Sequence, residues 1–177
     1  RAGMAVVDVG VGTGLVAREA AAIVGDPARV IGVDPSPGMV ANAKVPDGVR
    51  LMHGSAEHLP VAAASADFIS MGFALRHVAD LGTAFGEFYR VLKPGGRLCV
   101  LEITRPQAGW ARASLKFYLR RVVPWIAACV SSHRDTPQLM RYYWDTIEAC
   151  VAPEAVMSAM RVAGFVSVVR NVELQIF

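Results

Sequence analysis

Short apolar runs alternate with amphipathic stretches along the first hundred residues, and glycine or proline marks most junctions. Met4-Ala-Val-Val-Asp8 is a run of strand length stopped by Gly10, and the Ala-rich segment from Leu15 to Val24 has helical spacing and ends at Gly25-Asp-Pro27. Val30 to Val33 predicts a second strand, cut by Asp34-Pro-Ser-Pro-Gly38, with a short helix over Met39 to Lys44. Val49 to His53 reads as a third strand and Ala66 to Met71 as a fourth, after the turn-rich Pro60 to Ser65. Leu81 to Leu92 is an amphipathic helix, and Lys93-Pro-Gly-Gly96 breaks it ahead of a fifth strand over Arg97 to Glu102. Each crossover helix between parallel strands needs an apolar sheet face to bury against. The pattern therefore predicts an α/β fold with a doubly wound, mostly parallel sheet.

From Pro106 the rhythm changes. Trp110 to Val130 and Gln138 to Cys150 have helical character, and Pro153 to Val162 is a further helix. Gly164 then lets the chain turn into Phe165 to Val169, a sixth strand. We read residues 1–177 as one domain carrying residues 106–152 as a helical insertion. There is no internal repeat.

Composition narrows the classes. With 54% hydrophobic and 19% charged residues the chain has the apolar content of a globular core, which excludes disorder for its bulk. Lys and Arg number 18 against 15 Asp and Glu, scattered rather than blocked, so nucleic acid is not an expected partner. The apolar run Val122 to Val130 falls short of the roughly 20 residues a membrane span needs, and a soluble, cytoplasmic protein is expected. Cys99, Cys129 and Cys150 form neither a C-x-x-C pair nor a zinc spacing, so we expect buried thiols and no metal site. The chain opens at Arg1, a few residues ahead of its first strand, and is expected to be incomplete.

The candidate chemistry lies in Asp8-Val-Gly10-Val-Gly12-Thr13-Gly14, between a strand and a helix, where an open α/β sheet binds a nucleotide-like ligand. Asp34 follows Gly14 by 20 residues and ends the second strand, where a carboxylate can accept both hydrogens of a ribose diol. The dinucleotide fingerprint wants its third small residue at position 15, which is Leu15, and the phosphate-loop lysine is absent. Both NAD and triphosphate chemistry are thereby disfavoured. A tight turn without a ligand is the plainer alternative.

This turn, the acid ending strand two, Gly54-Ser-Ala-Glu57 and Arg90-Val-Leu-Lys-Pro-Gly-Gly96 together resemble class I S-adenosylmethionine-dependent methyltransferases. More narrowly, Phe73-Ala-Leu-Arg-His77, Tyr89 to Gly96, Leu101-Glu-Ile-Thr-Arg-Pro106, Tyr142 to Ile147 and Ala163-Gly-Phe165 resemble the ubiquinone/menaquinone biosynthesis C-methyltransferase family. The likeness covers nearly the whole chain and is weakest between Gln107 and Pro137. Ser55 stands where that family usually shows Asn or Asp, and His77 where Asn is common. The family also has helices before strand one and a final antiparallel strand, due about where the chain stops at Phe177.

The resemblance implies S-adenosylmethionine as cofactor and S-adenosylhomocysteine as product. It implies that Gly10, Gly12 and Gly14 let the backbone approach the cofactor, that Asp8 orients its ammonium, and that Asp34 holds the ribose hydroxyls. Pro35 and Met39 would pack on the adenine faces, with Ser55, Ala56 and Glu57 at its polar edge. Gly72 and Phe73 would complete the wall beside the sulfonium. Core packing is the plainer reading of Met39 and Phe73.

Methyl transfer asks chiefly for alignment and exclusion of water. A carbon nucleophile must also be made electron-rich, most simply by removing a phenol proton. His77 is the candidate to accept it. Arg76 stays protonated and is the candidate to stabilise the phenolate. Tyr142 would offer its hydroxyl to the ring oxygen, with Tyr143 and Trp144 lining an aromatic pocket; a loop role for His77 and core packing for Tyr142 are the alternatives. Arg112, Lys116 and Arg120 recur every four residues opposite an apolar side, either as a solvated stripe or as a face for an anionic membrane. His133 and Asp135 carry no specific signal.

The expected function is methyl transfer to a small aromatic or quinol-like acceptor, at carbon. A natural-product O- or C-methyltransferase and a non-catalytic S-adenosylmethionine-binding subunit are the alternatives. Peripheral membrane contact and a homodimer are compatible with either.

Overall fold

A computed structural model of the chain describes residues 1–103, 109–123, 125, 145 and 151–172. The chain divides into two compact units, Arg1–Glu102 with Glu154–Val168 and Ile103–Pro153 with Val169–Phe177.

The first unit is built on five parallel strands: β1 (Val6–Val9), β2 (Val30–Asp34), β3 (Arg50–His53), β4 (Ala66–Gly72) and β5 (Leu92–Leu101), in the order β3-β2-β1-β4-β5. All four residues of β1 are buried, as a central parallel strand covered on both faces requires. Helix α1 (Leu15–Val24) covers one face, packing Ala17, Ala21 and Val24 with Val6 and Val30. On the other face α3 (Leu81–Val91) brings Phe85, Phe88 and Val91 against Val7, Val9, Ile69 and Met71, joined by Val156 of α5 (Pro153–Val162). The short α2 (Pro37–Asn42) follows β2. Both faces are covered, so the sheet is doubly wound as expected. The chain steps outward from β1 to β2 and β3, then returns to β4 on the other side of β1. That reversal leaves a crevice at the carboxyl ends of β1 and β4.

Local chemistry explains the helix ends. α1 runs between Gly14 and Gly25, both in the left-handed region at φ 87° and 78°. α3 starts at Asp80, whose carboxylate accepts the Gly82 and Thr83 N–H groups and the Thr83 hydroxyl.

The sequence expectations need correction in three places. The break at Lys93–Gly96 lies inside β5 rather than before it. Register passes from Ala66 opposite Leu92 directly to Phe68 opposite Arg97, so the intervening residues bulge out of the ladder. Lys93 pins the bulge through Asp67 at 2.8 Å, and Asp67 also accepts the Ala5 N–H.

The expected strand over Phe165 to Val169 does not form. The Phe165 N–H is spent on the Met160 carbonyl at the end of α5, and its ring meets Tyr89 edge-on at 5.6 Å. Val166 is 96% exposed, so apolar sequence there is not matched by burial. Met39 to Lys44 begins its helix two residues early, because Ser36 caps the segment and Pro37 fits the first turn.

In the second unit α4 (Gly109–Phe117) continues into a π-helical turn over Tyr118–Val122. Arg120 lies 3.9 Å from Asp145 in an exposed pair. The expected helix from Gln138 to Cys150 lies, apart from Asp145, outside the described residues. Among those described, no helix is long and apolar enough to cross a membrane.

Candidate functional site

The turn after β1 is fastened to the end of β2. Gly10 and Val11 donate to the Val33 carbonyl at 2.8 and 3.0 Å, and Gly14 donates to Val11. Asp34, only 7% exposed, accepts the Gly12 N–H on one carboxylate oxygen and the Ser36 N–H on the other, each at 2.9 Å. One side chain thus bridges the turns that follow β1 and β2. Each carboxylate oxygen keeps further acceptor capacity.

The three glycines of the turn differ in what surrounds them. A β-carbon on Gly10 would lie 2.5 Å from Ala74 Cβ, and one on Gly14 would lie 2.6 Å from Val45 Cγ1. Packing within the protein already demands glycine at both. At Gly12 a β-carbon would meet only the Gly10 carbonyl at 3.8 Å, so no group of the described residues fills the space above it. An open cradle in the middle of a tightly held turn is the fit that a bound adenosyl cofactor requires.

Asp8 ends beside this turn and is 2% exposed. Ser70, its register partner on β4, donates its hydroxyl to the Asp8 carboxylate at 2.8 Å, and the Ala17 N–H in the first turn of α1 donates as well. Burial pushes the Asp8 carboxyl up to about 6, against the smaller downward pull of these two hydrogen bonds. Because α1 has no acid in its first turn and no side-chain cap, Asp8 is the carboxylate at that helix end.

Around the end of β2, the exposed Pro35 accepts at its carbonyl from His53 Nε2 at 3.0 Å. Met39 is held through its N–H to the Ser36 hydroxyl, with its side chain exposed. The Gly54 N–H meets the Asp34 carbonyl, which brings Ser55 to the same edge. Ala56 is buried in the apolar core instead. Glu57 accepts the Ala79 N–H at 2.8 Å and so braces the loop before α3. Desolvation pushes its carboxyl up, but the Ala79, Glu57 and Asp80 N–H groups and the Ser55 hydroxyl together hold it below its ordinary value.

At the end of β4, Gly72 leads into Phe73 at φ 57°, a left-handed conformation unusual for an aromatic residue. The Phe73 N–H is tied to the Leu101 carbonyl at 2.8 Å, and its ring is 51% exposed. Arg76 turns inward: its side chain is 6% exposed, Nη2 donates to the Phe73 carbonyl, and Nη1 lies 3.7 Å from Glu102 Oε1. The Arg76 N–H also donates to Glu102. His77 ends the short 3₁₀ turn Leu75–His77 with its side chain exposed. Since Gly10 abuts Ala74, the two loops meet at the crevice between β1 and β4.

Asp8, the glycine turn, Asp34, Pro35, Gly72, Phe73, Arg76 and His77 therefore all gather at the carboxyl ends of the strands. Tyr142, Tyr143, Trp144, His133 and Asp135, and the side chain of Arg112, lie outside the described residues. Sequence reasoning missed Ser70 and Glu102. The only signal for Ser70 was a hydroxyl within an otherwise apolar stretch of β4, and Glu102 stood in the Leu101–Pro106 motif with no role assigned to it.

A parallel sheet in this order, with a glycine turn after β1 and an acid closing β2, is the Rossmann-like frame of class I methyltransferases. A solved structure of this frame, a SAM-dependent methyltransferase from Thermotoga maritima, is 27% identical with a TM-score of 0.60, over 94% of this chain and 66% of that one. The chain belongs to the ubiE/COQ5 methyltransferase family, whose model matches residues 1–173. It is 36% identical over 143 residues to the demethylmenaquinone methyltransferase of Thermus thermophilus, covering 78% of this chain and 64% of that protein. It is 37% identical over 166 residues to the ubiquinone/menaquinone biosynthesis C-methyltransferase UbiE of Syntrophotalea carbinolica, covering 90% of this chain and 68% of that one. The chain thus spans about two thirds of the length of these curated relatives.

Proposed function

We propose that the protein methylates a ring carbon of a small quinol-like acceptor of the menaquinone or ubiquinone type, with S-adenosylmethionine as donor. The observation that carries this reading is the glycine turn bridged by Asp34 with an open cradle at Gly12. The names of the relatives support the acceptor class.

When bound, S-adenosylmethionine supplies an electrophilic methyl group on a sulfonium that leaves without needing a proton. Asp34 holds the ribose hydroxyls with the acceptor capacity left after its two backbone bonds. Asp8 takes the ammonium, and Pro35 and Met39, both exposed beside the turn, cover the adenine. Ser55 serves the base edge, whereas Ala56 and Glu57 support it from behind. Phe73 closes the wall at the methyl group. His77, exposed at the end of its turn, accepts the phenol proton of the acceptor. Arg76, tied to Glu102 and the Phe73 carbonyl, holds this loop in place instead of reaching the acceptor.

The second unit supports a place for a lipophilic acceptor. Between Gly109 and Val123 the chain carries Arg112, Lys116, Arg120 and Arg121 and no acid. Trp110, Phe117 and Tyr118 are exposed there and Trp125 just beyond, a combination suited to peripheral contact with an anionic membrane.

The test is transfer of an isotope-labelled methyl group from S-adenosylmethionine to a demethylated quinol, with the product analysed by mass spectrometry. The label is expected on a ring carbon of the reduced acceptor and absent with the oxidised quinone, which has no phenol proton to lose. Label on oxygen, or none from a folded protein that binds S-adenosylhomocysteine, contradicts the acceptor assignment.

A further inference from the structure

Ser70 is a buried hydroxyl on a central strand whose bond runs to Asp8, 62 residues away in sequence. Its position is set by register, because Asp8 and Ser70 face each other across the β1–β4 ladder at the crevice. We propose that Ser70 is a positioning residue for cofactor binding, acting through Asp8: its hydroxyl holds the carboxylate in place and keeps it charged to meet the cofactor's ammonium. The inference rests on the cofactor reading above and adds to it a residue and a pH dependence.

The Asp8 carboxylate sits between Ser70 and the Ala17 N–H in a space almost closed to water, and burial favours its protonated form. A protonated Asp8 carries no charge for an ammonium. Each hydrogen bond to the charged form therefore extends binding to lower pH.

No neighbouring charge among the described residues takes over this role. β2 places Gly32 at the Asp8 register position, and the Asp34 carboxylate is engaged by Gly12 and Ser36. On β4 the Asp67 carboxylate pairs with Lys93, and on β5 the residue opposite Ser70 is Cys99. α1 brings Ala17, while its Arg18 and Glu19 are exposed and pair with each other at 3.6 Å.

The experiment is calorimetric titration of the whole chain with S-adenosylhomocysteine, which keeps the ammonium, and with adenosine, which lacks it, from pH 5 to 8.5. For the wild type, affinity for S-adenosylhomocysteine should fall below a break near pH 6, by up to about tenfold at pH 5, and adenosine affinity should stay flat. In Ser70→Ala the break should move upward by about one pH unit. Ser70→Thr should restore it. Ser70→Cys, with the weaker S–H donor, should shift it in the same direction and serves where the alanine variant does not fold.

A break at the same pH in Ser70→Ala or Ser70→Cys as in the wild type, with any loss of affinity uniform across pH, overturns the positioning role. An equal break with adenosine overturns it too. Absence of S-adenosylhomocysteine binding by the folded wild type at every pH instead removes the cofactor reading itself.

Discussion

At the ends of β1 and β2 the backbone does most of the holding: Asp34 is fastened by two N–H groups at 2.9 Å, and the glycine turn hangs on the Val33 carbonyl. At the end of β4 the chain instead passes through Phe73 in a left-handed conformation, kept there by the Leu101 carbonyl and the inward-turned Arg76 and Glu102. The first arrangement is fixed by hydrogen bonds within the protein. The second stores strain and displays a half-exposed aromatic ring and an imidazole, as a region that contacts a reacting group does. In the proposed function, one half of the crevice binds the donor and the other half determines what receives the methyl group.

Substitutions that act on one end and spare the other sharpen this division. The largest effect is expected for Arg76→Ala, which takes the guanidinium away from the buried Glu102 carboxylate and should lower stability by about 3 kcal/mol in chemical denaturation. The affinity for S-adenosylhomocysteine should remain within about threefold of wild type wherever the variant is folded. An affinity that collapses with it would break the comparison. Asp34→Ala acts at the other end, and S-adenosylhomocysteine binding should weaken about 100-fold, or about 3 kcal/mol, because the bridge between the two turns goes together with the ribose contact.

Asp8→Asn separates binding from stability. The Asp8 pKa is raised on folding, so the native state binds the proton more tightly than the unfolded chain, and stability falls as pH rises from the ordinary carboxylate value to about 6. The substitution should therefore leave stability at pH 7.5 unchanged or raise it by up to about 3 kcal/mol, while cofactor affinity drops at least tenfold. Thermal melts from pH 4 to 8 should show the wild type losing stability through that window and the variant not.

Gly12→Ala is expected to cost about 1 kcal/mol, the strain of a β-carbon at φ 51°, because the space around it is open. Its effect should instead be on the ligand, with about tenfold weaker binding. The smallest effect on stability is expected for Phe73→Asn, a residue that tolerates the left-handed region, which should raise stability by about 0.5–1 kcal/mol. Its methyl transfer should nonetheless fall at least tenfold. Activity that survives this change would remove Phe73 from the acceptor side.

The same division explains what the sequence disclosed. The ends of β1 and β2 were legible because their determinants are local: glycines at fixed spacing, an acid closing a strand, proline and serine starting a helix. α1 between Leu15 and Val24 and α5 between Pro153 and Val162 fell on their expected boundaries for this reason.

The end of β4 depends on residues distant in sequence, so the pairings of Ser70 with Asp8 and of Glu102 with Arg76 were not readable, and Arg76, expected to stabilise a phenolate, is instead turned onto Phe73 and Glu102. Lys93–Gly96 has the composition of a turn, and only the ladder with β4 shows that it bulges within a strand. Phe165 to Val169 has the composition of a strand, but Tyr89 and the end of α5 claim Phe165 first.

The proposed function places an adenosyl cofactor at the carboxyl ends of β1 and β2. Its most direct test is calorimetric titration of the wild type and Asp34→Ala with S-adenosylhomocysteine, with NAD as the comparison ligand. Micromolar binding by the wild type, a loss of about 100-fold in the variant and no heat from NAD are expected. A folded wild type that gives no heat with S-adenosylhomocysteine, or an Asp34→Ala variant with unchanged affinity, would contradict it.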